Sequence, residues 1–225
     1  VLLTEKDITN ETDAERVQRE REEEAEGRSA KLEGLLMRLS DCFSKDKADA
    51  ICTDFCYIAA RGGRKRLTRE FLRVHRSETS RLPFYGRMIA TLSAVFPDIG
   101  IEISQALKDE FDSLAKKGKR VHVEDRLKNI KFIGELVKFG IIMDADIFSV
   151  IKALLDDFRG DNVDVLCCLF DVAGFYLTRL PTSAKRMKSI LDIFLRLKAV
   201  SDLDPRQCSL LDGAYFTCRP AQTVI

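Results

Sequence analysis

Arg126-Leu127-Lys128-Asn129-Ile130-Lys131-Phe132-Ile133-Gly134-Glu135-Leu136-Val137-Lys138-Phe139-Gly140 is the stretch that decides the fold. Leu127, Ile130, Ile133, Leu136 and Val137 recur at three- and four-residue offsets, which gathers them on one face of an α-helix. Strict alternation of apolar and polar residues, the mark of a half-buried strand, is missing. Working outward in both directions, the same helical spacing returns nearly everywhere from residue 28 on.

Upstream, Leu32, Leu35, Leu36 and Leu39 make one stripe, and Ala48, Ile51, Cys52, Phe55 and Ile58 the next. Leu67, Phe71 and Val74 follow a break expected at Gly62-Gly63. Met88, Ile89, Leu92, Val95 and Phe96 come next, closed by Pro97; Ile103, Leu107, Phe111 and Leu114 lead into the central stretch. Downstream stripes are Ile147/Ile151/Leu154/Leu155/Phe158, Val163/Leu166/Cys167/Phe170/Ala173 and Met187/Ile190/Leu191/Phe194/Leu197, with a shorter one at Leu210/Leu211/Ala214. Ten helices of roughly 12–20 residues are predicted, joined by links short enough to make neighbours antiparallel. Asp204-Pro205-Arg206-Gln207 reads as a capping box with Pro at the first helical position. Asp144, Asp161 and Thr182 are placed as further N-caps, and Gly100, Gly118, Gly140 and Gly160 as chain reversals.

Ten helices in sequence make five hairpins of roughly 33–43 residues, the repeat length of helical solenoids. No residue-level repeat accompanies that period, so the expectation rests on architecture. The fold class is all-α, a right-handed, solenoid-like crescent of about five antiparallel helical hairpins of HEAT type. Residues 1–27 carry four basic and ten acidic side chains and hardly any apolar stripe, which suits a charged linker or a solvated helix ended by Gly27. A single domain is expected over 28–220, followed by a tail at 221–225. With the overall charge at +1, the body outside the leader carries a net +7.

Chemistry-bearing constellations do not assemble. His75 and His122 lie in basic segments with no nucleophile presented to them, and read as surface histidines at helix ends. Cys52 and Cys56 stand at i, i+4, but neither Cys167-Cys168 nor Cys208 and Cys218 completes a zinc-ligand spacing. Gly62-Gly63-Arg64-Lys65 lacks the earlier glycine and the Ser/Thr of a phosphate-binding loop. The pair Asp156-Asp157 reads as the charged end of an amphipathic helix. The seven cysteines, most of them inside apolar helical patterns, are expected to be reduced, in a reducing, soluble compartment, since they form no disulfide framework and no signal segment or membrane-length apolar run is present. No enzyme activity, cofactor or metal is expected.

Basic clusters carry the functional weight. Arg64, Lys65, Arg69 and Arg73 lie with Arg61, Arg66 and Arg76 along one turn and helix; Lys116, Lys117, Lys119 and Arg120 share a loop; Lys185, Arg186 and Lys188 open a helix. Three roles stay open for them: a solvated surface, a protein-binding patch, or contact with RNA phosphates, although interleaved aromatics for stacking bases are lacking.

Phe132-Ile133-Gly134-Glu135-Leu136, preceded by a basic residue and followed by Phe139 and Ile141-Ile142, resembles the signature helix of the middle domain first defined in translation initiation factor 4G. That domain is a crescent of five antiparallel hairpins. Within the family, three other stretches are similar to the regulators of nonsense transcripts. They are Arg81 to Leu92, Asp54-Phe55-Cys56 ahead of Arg64-Lys65-Arg66-Leu67, and Ala214-Tyr215-Phe216-Thr217-Cys218-Arg219-Pro220. The likeness runs from about residue 30 to 220 and is strongest to the second of three tandem middle domains. It implies a non-enzymatic scaffold of nonsense-mediated mRNA decay, cytoplasmic or perinuclear. Through the full-length protein it would join an RNA helicase to exon-junction-associated factors, with neighbouring middle domains as partners in cis and RNA as a further candidate. The alternatives are a direct, sequence-nonspecific RNA-binding domain, or a middle domain of an initiation or splicing factor. The family's best-known contacts belong to the third domain and the C-terminal tail, so no partner site carries over to this chain. In the signature itself, Gly134 should admit a neighbouring helix at a propensity cost of ~1 kcal/mol, and Glu135 should be buried and bonded to helix-end donors.

Overall fold

The computed structural model describes residues 13–58, 61–117 and 122–219. Among them the helices are α1 (Asp13–Leu39), α2 (Lys45–Ile58), α3 (Arg61–Leu72), α4 (Leu82–Val95), α5 (Pro97–Lys117), α6 (Val123–Lys138), α7 (Asp144–Asp156), α8 (Asp161–Leu169), α9 (Phe175–Arg179), α10 (Ala184–Val200) and α11 (Pro205–Cys218). A 3₁₀ turn, Thr79–Arg81, leads into α4, and a π-helical turn, Phe170–Gly174, joins α8 to α9 without a break. Counting α8, the π turn and α9 as one rod gives the ten expected, paired as five hairpins.

Pairwise packing sorts the rods into two layers. First helices of successive hairpins lie side by side (α1 on α3, α3 on α5), as do second helices (α2 on α4, α4 on α6, α6 on α8, α8 on α11). This is the stacking of an α-solenoid, in which each hairpin buries its apolar face only against its neighbours. Lys108 of α5 to Asp146 of α7, 2.6 Å, and Arg186 of α10 over the Phe148 ring of α7, 4.3 Å, continue the first-helix layer.

The deciding stretch is the middle of that stack. α6 touches α4, α5, α7, α8 and the π turn, and from Asn129 to Val137 only Lys131 is not buried. Helices apolar on one stripe lie on a surface, whereas one enclosed on all sides lies inside. Ile130, Ile133 and Leu136 are at most 1% exposed, on the stripe read from the sequence, and Phe132 is buried on the opposite side. A Cβ placed on Gly134 would lie 2.9 Å from Val172 Cγ1, so the glycine lets the π turn close onto α6 as expected. Glu135 is buried, but its partner is Lys138 Nζ at 2.9 Å, one turn along the same helix and not a helix-end amide.

Several local expectations are corrected. Gly27 does not end α1, which runs straight through it, and Gly62-Gly63 sits inside the first turn of α3 instead of breaking the chain. Asp144 and Asp161 are the first residues of α7 and α8; the N-cap positions belong to Met143 and Gly160. α10 is preceded by Ser183, while the Thr182 hydroxyl donates to Asp144 at 2.7 Å. Gly100 lies in the first turn of α5, pressed against Ser93, and Gly118 falls outside the described residues. Gly140 and Gly160 do adopt positive φ (71° and 52°), and the Asp204/Gln207 capping box forms, with Gln207 N donating to Asp204 Oδ1 at 2.6 Å.

Cys42, Cys52, Cys167 and Cys218 are buried and only Cys56 is exposed. Burial pushes the thiols of Cys52, Cys167 and Cys218 up to about 12. Because the thiolate is the nucleophile, Cys56 should react first with a thiol reagent at pH 8, and those three only after unfolding. Rapid native-state labelling of Cys167, read by mass spectrometry, would contradict the packing. Two glycines give opposite expectations in denaturant unfolding. Gly134→Ala should cost about 1–3 kcal/mol by overpacking against Val172, whereas Gly34→Ala, with open space around its Cα, should add ~0.5–1 kcal/mol through helix propensity.

Candidate interaction surfaces

α3 and the turn after it carry the first basic cluster, three of whose arginines are tied to neighbouring helices. Arg64 Nε donates to Asp98 Oδ2 of α5 at 2.8 Å, and its guanidinium lies 5.2 Å from the centroid of the Phe96 ring. Arg66 pairs with Glu33 of α1, Arg73 with Glu70 at 2.7 Å, and Arg76 with Asp125 of α6 at 3.7 Å. Lys65 and Arg69 are exposed. Exposed pairs of this kind contribute only ~0–1 kcal/mol each, but they neutralise the field a phosphate would sense.

Lys116 and Lys117 close the last turn of α5, where cations complement the helix dipole, and both face solvent. Lys119 and Arg120 lie outside the described residues. Lys185 and Arg186 open α10, a poor place for cations on dipole grounds; Arg186 is held by the Phe148 face. These groups do not converge. Asp98, which holds Arg64, and Lys117 sit near opposite ends of α5, roughly 28 Å apart at 1.5 Å per residue. Arg76, beyond the end of α3, reaches Asp125 in the first turn of α6. Phe132, Ile133, Gly134, Glu135 and Leu136 are all buried and are a packing signature, not a contact surface.

Two features escaped the sequence reading. Asn129 is fully buried in α6, its Nδ2 donating to the Leu107 carbonyl at 3.1 Å and to Glu110 Oε2 at 2.8 Å, which pins α6 to α5. The second is a hollow of about 650 Å³ in the second-helix layer, floored by α8 and the π turn and walled by α6 and α11. Asp161, Asp164, Cys168 and Asp171 line it at i, i+3, i+7 and i+10, a polar helical stripe visible in the sequence. Its walls come from residues more than forty positions apart, and those the sequence does not announce.

His75 and His122 are exposed at helix ends, and Cys52 donates to the Met88 carbonyl at 3.8 Å while Cys56 faces solvent. Among the described residues no group of three or more His, Cys, Asp or Glu side chains is arranged to hold a metal ion, and no helix is long and apolar enough to cross a membrane.

Known proteins place these surfaces in a family. The model of the MIF4G domain matches residues 29–215, the whole packed solenoid from the middle of α1 into α11. The chain is 42% identical over 193 residues to the Regulator of nonsense transcripts UPF2 of Arabidopsis thaliana, covering 86% of this chain and 16% of that protein. It is 32% identical over 206 residues to the human Regulator of nonsense transcripts 2, covering 90% of this chain and 16% of the relative. A third relative is the Nonsense-mediated mRNA decay protein 2 of Schizosaccharomyces pombe, at 22% over 198 residues, 88% of this chain and 19% of that protein. The chain therefore spans about a sixth of the length of the first of these relatives. With the family model covering all five hairpins, the chain belongs to the MIF4G domain family.

Proposed function

We propose that this chain is a non-enzymatic scaffold module of nonsense-mediated mRNA decay, which spaces its neighbours and presents protein contacts in the cytoplasm. The observation that carries this reading is the 42% identity to a regulator of nonsense transcripts across 193 residues, nearly the whole solenoid. A solenoid offers extended, rigid surfaces and suits that work. Its partners would be other surveillance proteins, an RNA helicase and exon-junction-associated factors engaged through the full-length protein, together with neighbouring middle domains in cis.

A second reading, sequence-nonspecific RNA binding, draws support from Lys65, Arg69, Lys116, Lys117 and Lys185, which are exposed. Against it stand the ion pairs of Arg64, Arg66, Arg73 and Arg76 and the separation of the clusters.

Deleting residues 28–220 from the full-length protein in its own cells should lengthen the half-life of a premature-stop reporter several-fold relative to its stop-free control. Inserting the corresponding segment of the Arabidopsis relative should restore decay. An unchanged half-life ratio would remove the scaffold role. Titration of labelled single-stranded RNA with this chain, at low and near-physiological salt, separates the second reading. The scaffold reading expects no micromolar binding. Salt-sensitive micromolar binding that is lost when Lys65, Arg69, Lys116 and Lys117 are reversed to Glu would put RNA in its place.

A further inference from the structure

The stripe along α8 and the π turn faces the hollow between α6 and α11, with Cys168 also packed against the core. From Asp161 to Asp171 it is about 15 Å long at 1.5 Å per residue, or three helical turns. Leu127, Val172 and Leu210 supply an apolar surface beside it, and Leu210 is 36% exposed.

The charge of the hollow runs against that of the body around it. Three carboxylates face Lys131 and Arg206, while the chain outside the acidic leader carries a net +7. Arg206 is closed onto Asp164, 2.8 Å from Oδ2. Asp161 stands in the field of Arg126 and Arg206, which leaves Asp171 against Lys131. Asp171 stands on the π turn, which re-aims side chains relative to a regular helix and recurs at functional sites. Burial pushes its carboxyl above the ordinary range, with Thr217 and Lys131 pulling the other way. It forms no direct ion pair among the described residues. Asp171 is exposed on the open side of the hollow and has no paired cation among the described residues, so an incoming ammonium or guanidinium could bond it directly.

We propose that this groove receives a helical segment of a partner protein, about three turns long, apolar on the face that enters and carrying Lys or Arg opposite Asp161 and Asp171. The inference rests on the scaffold reading and names the chemistry of one contact. The chain's own leader, with ten acids against four bases, has the wrong sign for the site. Nucleic acid would set its phosphates against the same carboxylates.

The test uses the whole chain and a fluorescein-labelled 18-residue peptide of Leu and Lys, with Leu at i, i+3, i+4 and i+7. A Leu/Glu peptide of the same pattern and a scrambled Leu/Lys peptide serve as controls. The Leu/Lys peptide should bind saturably at one per chain, with amide shifts confined to α6, α8 and α11. Leu210→Glu and Asp171→Lys should each weaken it at least ten-fold, and the two controls should bind at least ten-fold less tightly. Folding is checked on Asp171→Asn. Because the carboxyl is raised in the fold, its stability contribution is present below the unfolded value and lost as pH rises through the folded value. The neutral amide should therefore melt no lower than the parent at pH 7, while still weakening the peptide.

Equal binding of the scrambled or Leu/Glu peptide, shifts elsewhere on the solenoid, or no effect of these substitutions overturns the proposal. So does a peptide-free dimer that Leu210→Glu dissolves, which would assign the groove to a second copy. Normal reporter decay in Leu210→Glu full-length protein, with decay lost on deletion of residues 28–220, would sink the groove and leave the scaffold role standing.

Discussion

The solenoid depends on one helix, α6, whose second half is buried among its neighbours. α6 must be apolar around most of its circumference, yet thin enough at one point for the next hairpin to close on it. Gly134 supplies that point, and the π turn fills it with Val172. Fully burying a Leu, Ile or Phe is worth about 1.5–3 kcal/mol. Ile130, Phe132, Ile133, Leu136 and Val137 put five such residues on one helix, within 2% exposure. The cost appears at Asn129. Its amide nitrogen is satisfied twice, but its Oδ1 has no partner. A buried acceptor left without a partner costs ~1–3 kcal/mol, and here it accompanies a bond that fixes the angle of α6 on α5.

Charges do a different task in this chain. Arg87 grips Asp49 with two bonds, 2.8 and 2.7 Å, between α4 and α2. Arg64, Arg66 and Arg76 bind α3 to α5, α1 and α6. Each pair is partly exposed and adds little stability alone. Their distribution matters more, since a charge committed to a neighbouring helix is withdrawn from any ligand. That separates a basic sequence from a basic surface. Among the described cations of the predicted clusters, Lys65, Arg69, Lys116, Lys117, Lys185, Arg186 and Lys188 are exposed and without an ion pair, with Arg186 lying over the Phe148 ring.

Local chemistry shows where the sequence was legible. The stripes through Ile133, Ile103 and Leu191 read correctly because burial of one face follows from a 3.6-residue period whatever the neighbour is. The Asp204 capping box read correctly because both partners lie within four residues. Thr182 was misplaced as a cap because α10 begins one residue later, after Ser183, and the Thr182 hydroxyl instead donates to the distant Asp144. Gly62-Gly63 was misread as a break because tertiary packing against α1 and α5 outweighs glycine's weak propensity. The π turn and the hollow beneath Asp171 left only a polar stripe in the sequence, since three helices from distant positions must meet to make them. Which cations remain available is likewise a property of the packed surface.

The leader gives the last step. α1 begins at Asp13, and from Val17 to Lys31 its described side chains face solvent; the first buried one is Leu32. Nothing in the core holds this part as a helix. Oppositely charged and polar residues one turn apart do, as between Gln18 and Glu22 at 2.8 Å. From Asp13 to Lys31 the rod is roughly 27 Å long. Were it a coil, whatever is joined ahead of it would wander independently of the solenoid. A helix continuous with the first packed hairpin transmits direction as well as distance. The continuous α1, the two-layer stacking through α6 and the pairs that tie α3 to its neighbours each set the position of one hairpin against the next. The spacing role proposed above would need that property in every hairpin, and Gly134 provides for it where the π turn closes on α6.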